Sequence, residues 1–206
     1  MSNQTSPLKR RRAKTRQEIL AAAREIIVTQ GVEALSMRSL AQKVDYTPAA
    51  LYKYFESKEA LVEEIRVEGW DLMAAYYREH LPPAEDAAEM LYNAAVAYQE
   101  FALAYPAHYL LMFQSVQAAP QKLDELYQDA KFLTLLKLIE QGAASGQIIV
   151  PPGYTALMLR WQFWSMSHGM AMLQLTLLKN VQTDAAEMFR QVIRANIDSL
   201  TGKKRT

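Results

Sequence analysis

Side chains able to bind phosphate oxygens or base edges are concentrated between residues 36 and 58, in the stretch SMRSLAQKVDYTPAALYKYFESK. The hydroxyl and ammonium donors suited to phosphate oxygens are Thr47, Tyr52, Tyr54 and Lys58. The small residues Pro48, Ala49 and Ala50 would let a helix backbone approach the edges of base pairs in a major groove. Lys53 could donate to the same edges. The pattern therefore indicates contact with double-stranded DNA.

Two short helices joined by a tight turn would position these side chains. Ser36 can cap a first helix that runs to about Val44, and the turn falls at Asp45-Tyr46. Thr47 is a typical N-cap, and Pro48 follows at the first helical position, where its missing N–H costs nothing. Arg38 lies on the first helix and is placed to reach either bases or phosphates. This spacing predicts a helix-turn-helix, and its alternative is a hairpin within an ordinary helical bundle.

The stretch from about residue 15 to 65 resembles the TetR-type transcriptional regulators. The residues that carry the resemblance are Thr47, Leu51, Tyr52, Tyr54, Phe55, Ser57, Lys58, Glu59 and Leu61. The family usually has Gly at the turn, where this chain has Asp45. Aspartate tolerates left-handed backbone, so we expect the turn to persist, although its negative charge is less favourable beside DNA.

The charges are divided unequally along the chain. The net charge is +1, but residues 1–58 hold 11 Lys and Arg against 5 Asp and Glu, whereas residues 59–206 hold 12 against 17. A basic N-terminal part on an acidic remainder suits a DNA-binding domain attached to a separate body. The chain has no Cys and only three scattered His residues, so we expect no metal site and no cofactor.

Residues 1–13 are polar, end in a basic run and lack periodicity, which predicts a disordered basic arm. The arm is either a solvated run of charge or a segment that follows phosphates or enters a minor groove. No apolar segment with a cleavage site follows it, so we expect a cytoplasmic protein. The first helix is predicted from Thr15 to Gln30, with a capping box at its start and Gly31 at its end.

Everything after Lys58 is helical by its pattern, so the predicted fold is all-α. We expect a helix-turn-helix domain over residues 14–60 and a larger helical bundle for ligand binding and dimerisation over residues 61–202. Pro and Gly residues separate helices at about 57–81, 85–105, 109–117, 122–144, 154–178 and 183–200. The helix at 154–178 is nearly uncharged, but polar residues interrupt it too often for a membrane span.

The last two predicted helices carry more apolar surface than a monomer would leave in water. They predict a homodimer built on residues 158–178 and 185–200, and the alternative is a monomeric bundle with one of them at its centre. The body also resembles a C-terminal domain class of some TetR-type regulators through Tyr105-Pro106, Tyr109, Leu111-Met112-Phe113 and Trp164…His168-Gly169. That resemblance implies a four-helix dimer interface and a small-molecule pocket.

Aromatic and methionine side chains recur where the helices of the body must converge. The candidate ligand-binding residues are Trp70, Met73, Tyr77, Phe101, Tyr105, Tyr109, Met112, Phe113, Trp161, Trp164 and His168. For most of them, packing in the core is the expected role. Trp161, Trp164 and His168 are spaced to share one helix face, which favours an apolar or aromatic effector held by stacking and by one directional hydrogen bond.

Two classes of function follow from these patterns. The first is a ligand-responsive regulator, most often a repressor by the family resemblance, that binds a palindromic operator as a dimer. The second is a helical enzyme or small-molecule carrier whose N-terminal hairpin is structural. No catalytic constellation of Ser-His-Asp, Cys-His or paired carboxylates occurs in the sequence, so we expect no enzyme.

Overall fold

The computed structural model describes residues 6–113, 130–181 and 184–201, and the regular structure of these residues is helical throughout, as predicted. The helices in chain order are α1 (Pro7–Gln30), a 3₁₀ turn (Val32–Ala34), α2 (Met37–Lys43), α3 (Pro48–Leu51), α4 (Lys58–His80), α5 (Ala87–Ala104), α6 (Pro106–Phe113), α7 (Ala130–Ala144), α8 (Ala156–Leu175) and α9 (Ala185–Thr201). Several predicted features lie outside the described residues, namely the arm over 1–5, the helix boundaries near 117 and 122, the cap at Thr183 and the domain end at 202.

Helix α1 begins eight residues before its predicted start at Thr15. Pro7 occupies its first turn, and the backbone N–H of Gly31 donates to the carbonyl of Ile27 at 3.1 Å where the helix ends. The prediction of a disordered arm is therefore wrong for residues 7–13. Lys and Arg are good helix formers, and extending an existing helix by a few residues costs far less than nucleating one.

The helix-turn-helix follows its predicted caps closely. The Ser36 hydroxyl accepts from the backbone N–H of Ser39 at 3.0 Å, while the Ser39 hydroxyl accepts from the N–H of Ser36. Asp45 has a φ of 54°, which is the left-handed conformation expected at the turn. The backbone N–H of Ala50 then donates to the Thr47 side chain at 3.2 Å. These local hydrogen bonds fix both helix starts.

The chain divides into two compact units, and the first is larger than the predicted domain over residues 14–60. It holds α1, α2, α3, the part of α4 up to Leu72, and also α6. Its core contains Ile19, Leu20, Ala23, Ile26, Ile27, Leu35, Met37, Leu40, Ala41, Leu51, Phe55, Leu61, Ile65, Ala107 and Leu111. Ala107 and Leu111 belong to α6, so a helix distant in sequence completes the core of this unit.

A glycine allows α6 to lie close to α4 within this first unit. A Cβ atom built on Gly69 would lie 2.8 Å from Sδ of Met112 and 3.1 Å from Cβ of His108. Any larger residue at position 69 would therefore require the Met112 side chain to move and would crowd Cβ of His108. Short-range sequence patterns do not reveal this approach, which explains why the predicted boundary fell too early.

The second unit holds the remainder of α4 from Met73, together with α5, α7, α8 and α9. Its buried apolar residues include Leu91, Ile139, Leu159, Phe163, Phe189, Ile193 and Ile197. In α9 the buried residues recur three or four positions apart, so that helix has one apolar face in the core. No helix in the described part of the chain has the length and apolar character to cross a membrane.

Candidate nucleic-acid interface and effector site

The N-terminal end of α3 is accessible to a large ligand. Thr47, Pro48 and Ala49 are exposed, and Ala50 is half-buried. The Thr47 hydroxyl accepts the capping hydrogen bond through its oxygen, so its O–H can still donate to a phosphate. The small side chains at 48–50 leave the backbone of α3 open to base edges, which is the arrangement predicted from the sequence.

The residues that follow α3 differ in exposure. Tyr52 and Lys53 are exposed, whereas Tyr54 and Lys58 are half-buried. The ring of Tyr54 lies edge-on to the ring of Tyr46, with 6.5 Å between centroids and 89° between planes. Packing therefore fixes the direction of Tyr54, while the flexible Lys53 side chain can adapt to a base edge.

The cations of the first unit fall into two groups. Several cations form ion pairs between helices. Nζ of Lys43 lies 2.7 Å from a carboxylate oxygen of Glu25, and Nη1 of Arg24 lies 2.8 Å from a carboxylate oxygen of Glu68. Arg38, Lys53 and Lys58 take part in none of the ion pairs seen within residues 6–113. Their positive charge is therefore available to an anionic partner such as the DNA backbone.

Replacing Lys58 with alanine should weaken binding to all DNA sequences alike and reduce the salt dependence of log K by about one per subunit, because a phosphate contact is lost. Replacing Lys53 or Ala49 should instead change the preference at single base pairs by roughly 1–3 kcal/mol. Titrations of operator and random DNA over a series of salt concentrations would measure both effects. A changed choice of operator in Lys58→Ala would show that the roles are wrongly assigned.

A partly buried polar network in the first unit was not predicted. Glu68 of α4 accepts from Arg24 of α1 at 2.8 Å and lies 3.1 Å from Nε2 of His108 in α6. Burial lowers the pKa of His108, and the hydrogen bond to Glu68 opposes this effect only in part. His108 is therefore neutral at pH 7. The contact joins three helices far apart in sequence, so spacing alone could not have found it.

This network predicts a specific pH dependence of stability. The folded-state pKa of His108 is lowered, so the unfolded chain takes up the proton first as the pH falls below about 6.5. The free energy of unfolding should therefore decrease from pH 7.5 to pH 5.5. His108→Gln should reduce that decrease and His80→Gln, at an exposed site, should not. Urea unfolding of the three proteins at both pH values would test the difference, and equal slopes in all three would contradict it.

The predicted ligand-binding residues divide between the two units. Trp70, Tyr105, Tyr109, Met112 and Phe113 belong to the first, where the ring centroids of Trp70 and Phe113 are 5.6 Å apart and those of Tyr109 and Phe113 are 5.1 Å apart. Tyr109 is fully buried and Met112 nearly so. These contacts are those of a packed core, which is the simpler of the two interpretations considered for these residues.

Met73, Tyr77, Phe101, Trp161, Trp164 and His168 belong to the second unit. Met73 and Phe101 are buried in its core. Trp164 lies edge-on to Trp161 at 5.4 Å and stacks on His168 at 5.4 Å with 22° between planes. The three-residue face predicted on one helix is thus present on α8.

Polar groups accompany this α8 face. Nδ1 of His168 lies 3.2 Å from the hydroxyl of Tyr98 in α5. Burial lowers the pKa of His168. Burial also raises the pKa of Tyr77, with a smaller contribution from Tyr98, so both ring types are uncharged at pH 7. The imidazole and the phenols therefore offer neutral hydrogen-bonding groups beside the large rings of this face.

Arg160 was not among the predicted residues, although it lies beside them. It is only 7% exposed, and its guanidinium lies 4.9 Å from the Trp161 ring and 5.3 Å from the Trp164 ring. The available signal was a single arginine at the start of an otherwise uncharged helix. A cation near a helix start usually lies in solvent, whereas here it is buried beside two indole rings.

An open groove of about 640 Å³ lies along α4 in the first unit and includes none of the predicted ligand-binding residues. Its lining residues are Ala60, Glu63, Glu64, Val67, Glu68, Asp71 and Leu72. Glu64 and Glu68 are already paired with Arg16 and Arg24. In the described part of the chain, no group of three acidic, His or Cys side chains could hold a metal ion. The α8 face has the more suitable chemistry for an effector.

Comparison with known proteins identifies relatives of both halves of the chain. The model for bacterial regulatory proteins of the tetR family matches residues 19–65, and the model for the tetracyclin repressor-like C-terminal domain matches residues 91–196. The HTH-type transcriptional regulator UidR of Escherichia coli strain K12 is 38% identical over 65 residues. The match covers 32% of this chain and 33% of UidR, so it spans about a third of that relative's length.

Solved structures of similar fold cover nearly the whole chain. A bacterial regulatory protein in the tetR family from Rhodococcus RHA1 has a TM-score of 0.71 at 18% identity, over 91% of this chain and 97% of the other. AibR, solved with isovaleryl coenzyme A and operator DNA, has a TM-score of 0.67 at 18% identity, over 90% of this chain and 97% of its own. These likenesses show a shared fold, and the family matches favour a regulator over an enzyme or carrier. The chain belongs to the TetR family of bacterial regulatory proteins.

Proposed function

We propose that the protein is a cytoplasmic transcriptional repressor that binds a palindromic operator as a homodimer and leaves it when a small apolar or aromatic effector binds. The observation that carries this proposal is the exposed start of α3, formed by Thr47, Pro48 and Ala49. Arg38, Lys53 and Lys58 of the same unit take part in none of the ion pairs seen within residues 6–113. One such helix contacts too few base pairs to select a site in a genome, so two copies are needed.

The proposed dimer uses the exposed faces of α8 and α9. Large apolar residues there remain in contact with water in the single chain, namely Met158 at 50%, Leu173 at 42%, Met188 at 47% and Val192 at 38% exposure. Covering such a surface with its own copy would bury apolar area on both partners.

The proposed effector site is the α8 face formed by Trp161, Trp164 and His168, with Tyr98 as the hydrogen-bonding neighbour of the imidazole. The related AibR was solved with isovaleryl coenzyme A and operator DNA, which supports a small-molecule effector here without indicating its identity. To lower the affinity for the operator, effector binding must favour the form that does not bind DNA, by a coupling free energy of about 1–3 kcal/mol.

His168→Phe and Trp164→Ala should each raise the effector concentration needed to release DNA by at least about 5-fold, because each removes contacts on which that coupling depends. Operator affinity without effector should stay unchanged. Fluorescence anisotropy with labelled operator would measure both quantities once an inducer is found among compounds that release the wild-type protein. Release of both variants at the wild-type concentration would place the effector site elsewhere.

A mobility shift with fragments of the source genome would test the function as a whole. A repressor should select a few fragments, bind them more weakly as salt increases, and release them with a compound that its neighbouring genes metabolise or export. Transcription from a selected promoter should fall when the protein is added. Failure to bind any fragment above random DNA would overturn the proposal.

A further inference from the structure

The first two turns of α1 precede the part of the chain that matches the family model, which begins at residue 19. They carry four consecutive cations, residues 9–12, and one of these contacts the turn that follows α3. Nη2 of Arg12 donates to the carbonyl oxygen of Lys53 at 2.8 Å, and its guanidinium lies 6.0 Å from the centre of the Tyr54 ring. The contact joins residues separated by 41 positions in sequence.

The accepting carbonyl lies where α3 ends. Helix α3 is only four residues long, and the chain leaves it through a turn in which the N–H of Tyr54 donates to the carbonyl of Leu51 at 2.8 Å. The carbonyls of Pro48, Ala50 and Leu51 accept backbone N–H groups of residues 52–55, and Lys53 lies in the turn beyond them. Arg12 supplies a charged donor to the carbonyl of Lys53, and charge-assisted hydrogen bonds are stronger and shorter than neutral ones.

A second arginine of α1 contacts the same turn one helical turn later. Arg16 lies with its guanidinium 4.5 Å from the Phe55 ring and is paired with Glu64 of α4. Residues four apart on a helix share a face, so Arg12 and Arg16 contact residues 53–55 from one side. The end of α3 is therefore held by side chains of α1 as well as by its own backbone hydrogen bonds.

We propose that Arg12 is a positioning residue for DNA recognition, which fixes the end of α3 and thereby the direction of Lys53, a residue expected to face base edges. The proposal rests on the proposed function. It divides the basic run of α1 in two: Arg12 is engaged with the protein, while Lys9, Arg10 and Arg11 are exposed and take part in no ion pair seen within residues 6–113. A positioning residue affects sequence preference, whereas a phosphate contact affects all sequences alike.

The test compares Arg12→Met with Arg11→Met in the full-length protein, since both remove one exposed cation from the same run. The probes are an operator fragment selected from the source genome and the same fragment with single base-pair changes. For Arg12→Met we expect the preference for the intact operator over the changed ones to fall at least about threefold. For Arg11→Met we expect that preference to be unchanged, with a salt slope lower by about one per subunit. An unchanged preference in Arg12→Met would overturn the proposal.

A second measurement needs no DNA. Amide hydrogen exchange at residues 52–55 should become at least about threefold faster in Arg12→Met and remain as in the wild type in Arg11→Met, because only the first loses the hydrogen bond to Lys53. Equal exchange in all three proteins would also overturn the role of Arg12. If instead the wild type selects no operator while exchange changes as expected, the proposed function fails and Arg12 is shown to fix the turn only.

Discussion

Replacing Val192 with glutamate is expected to convert the dimer into a monomer at micromolar concentration and to lower operator affinity by at least about 100-fold. Val192 is 38% exposed in the single chain and lies one turn from Met188, which is 47% exposed. A carboxylate here would be buried against apolar side chains of the partner without a counter-ion, which costs several kcal/mol. The proposed two-fold interface contains both copies of the residue, so the cost arises on both sides.

A matched control for this variant lies next to it. Gln191 is exposed, and its side-chain amide donates to a carboxylate oxygen of Glu187 at 3.1 Å. Gln191→Lys changes the charge of the same helical turn and should leave a dimer that binds its operator. Sedimentation velocity and anisotropy titrations on both variants would decide the matter. A Val192→Glu protein that remains a dimer would place the interface on another surface.

The parts of the fold that could be predicted depend on near neighbours in sequence. The caps at Ser36 and Thr47 and the left-handed Asp45 are set by hydrogen bonds and backbone preferences spanning three or four residues. Such patterns are visible in the sequence itself. For the same reason the exposed side chains at the start of α3 could be named in advance, and so could the one-face arrangement of Trp161, Trp164 and His168.

The parts that could not be predicted depend on contacts between distant segments. Helix α6 joins the first unit because Gly69 leaves room for Met112 and because His108 reaches Glu68, and neither contact has a local signature. The position of Arg160 beside the rings of Trp161 and Trp164 likewise could not be read from the sequence. The basic run at residues 9–12 was predicted to be disordered because its sequence lacks apolar residues at helical spacing. It is helical because α1 continues into it from a part of the helix that packs in the core.

Leu51→Ala is expected to have the largest effect on the DNA-binding unit. Leu51 is the one buried residue of α3 and is fully buried, in a core with Phe55 and Leu40. Leucine-to-alanine changes at such sites lower the free energy of unfolding by about 2–5 kcal/mol, through lost burial and the cavity left behind. A four-residue helix has little stability of its own, so we expect α3 to lose its fixed position and operator binding to fall at least tenfold.

The second unit supplies an internal control for this variant, because its core contains neither Leu51 nor its neighbours. Leu51→Ala should therefore remain a dimer while the first unit unfolds at lower urea concentration. Leu51→Met keeps nearly the same volume and should cost less than about 1.5 kcal/mol, with operator binding largely retained. Urea unfolding followed by hydrogen exchange in each unit would measure how much stability each unit loses in each variant. Unchanged operator affinity in Leu51→Ala would mean that contacts at the end of α3, such as the hydrogen bond from Arg12, hold the helix without its buried leucine.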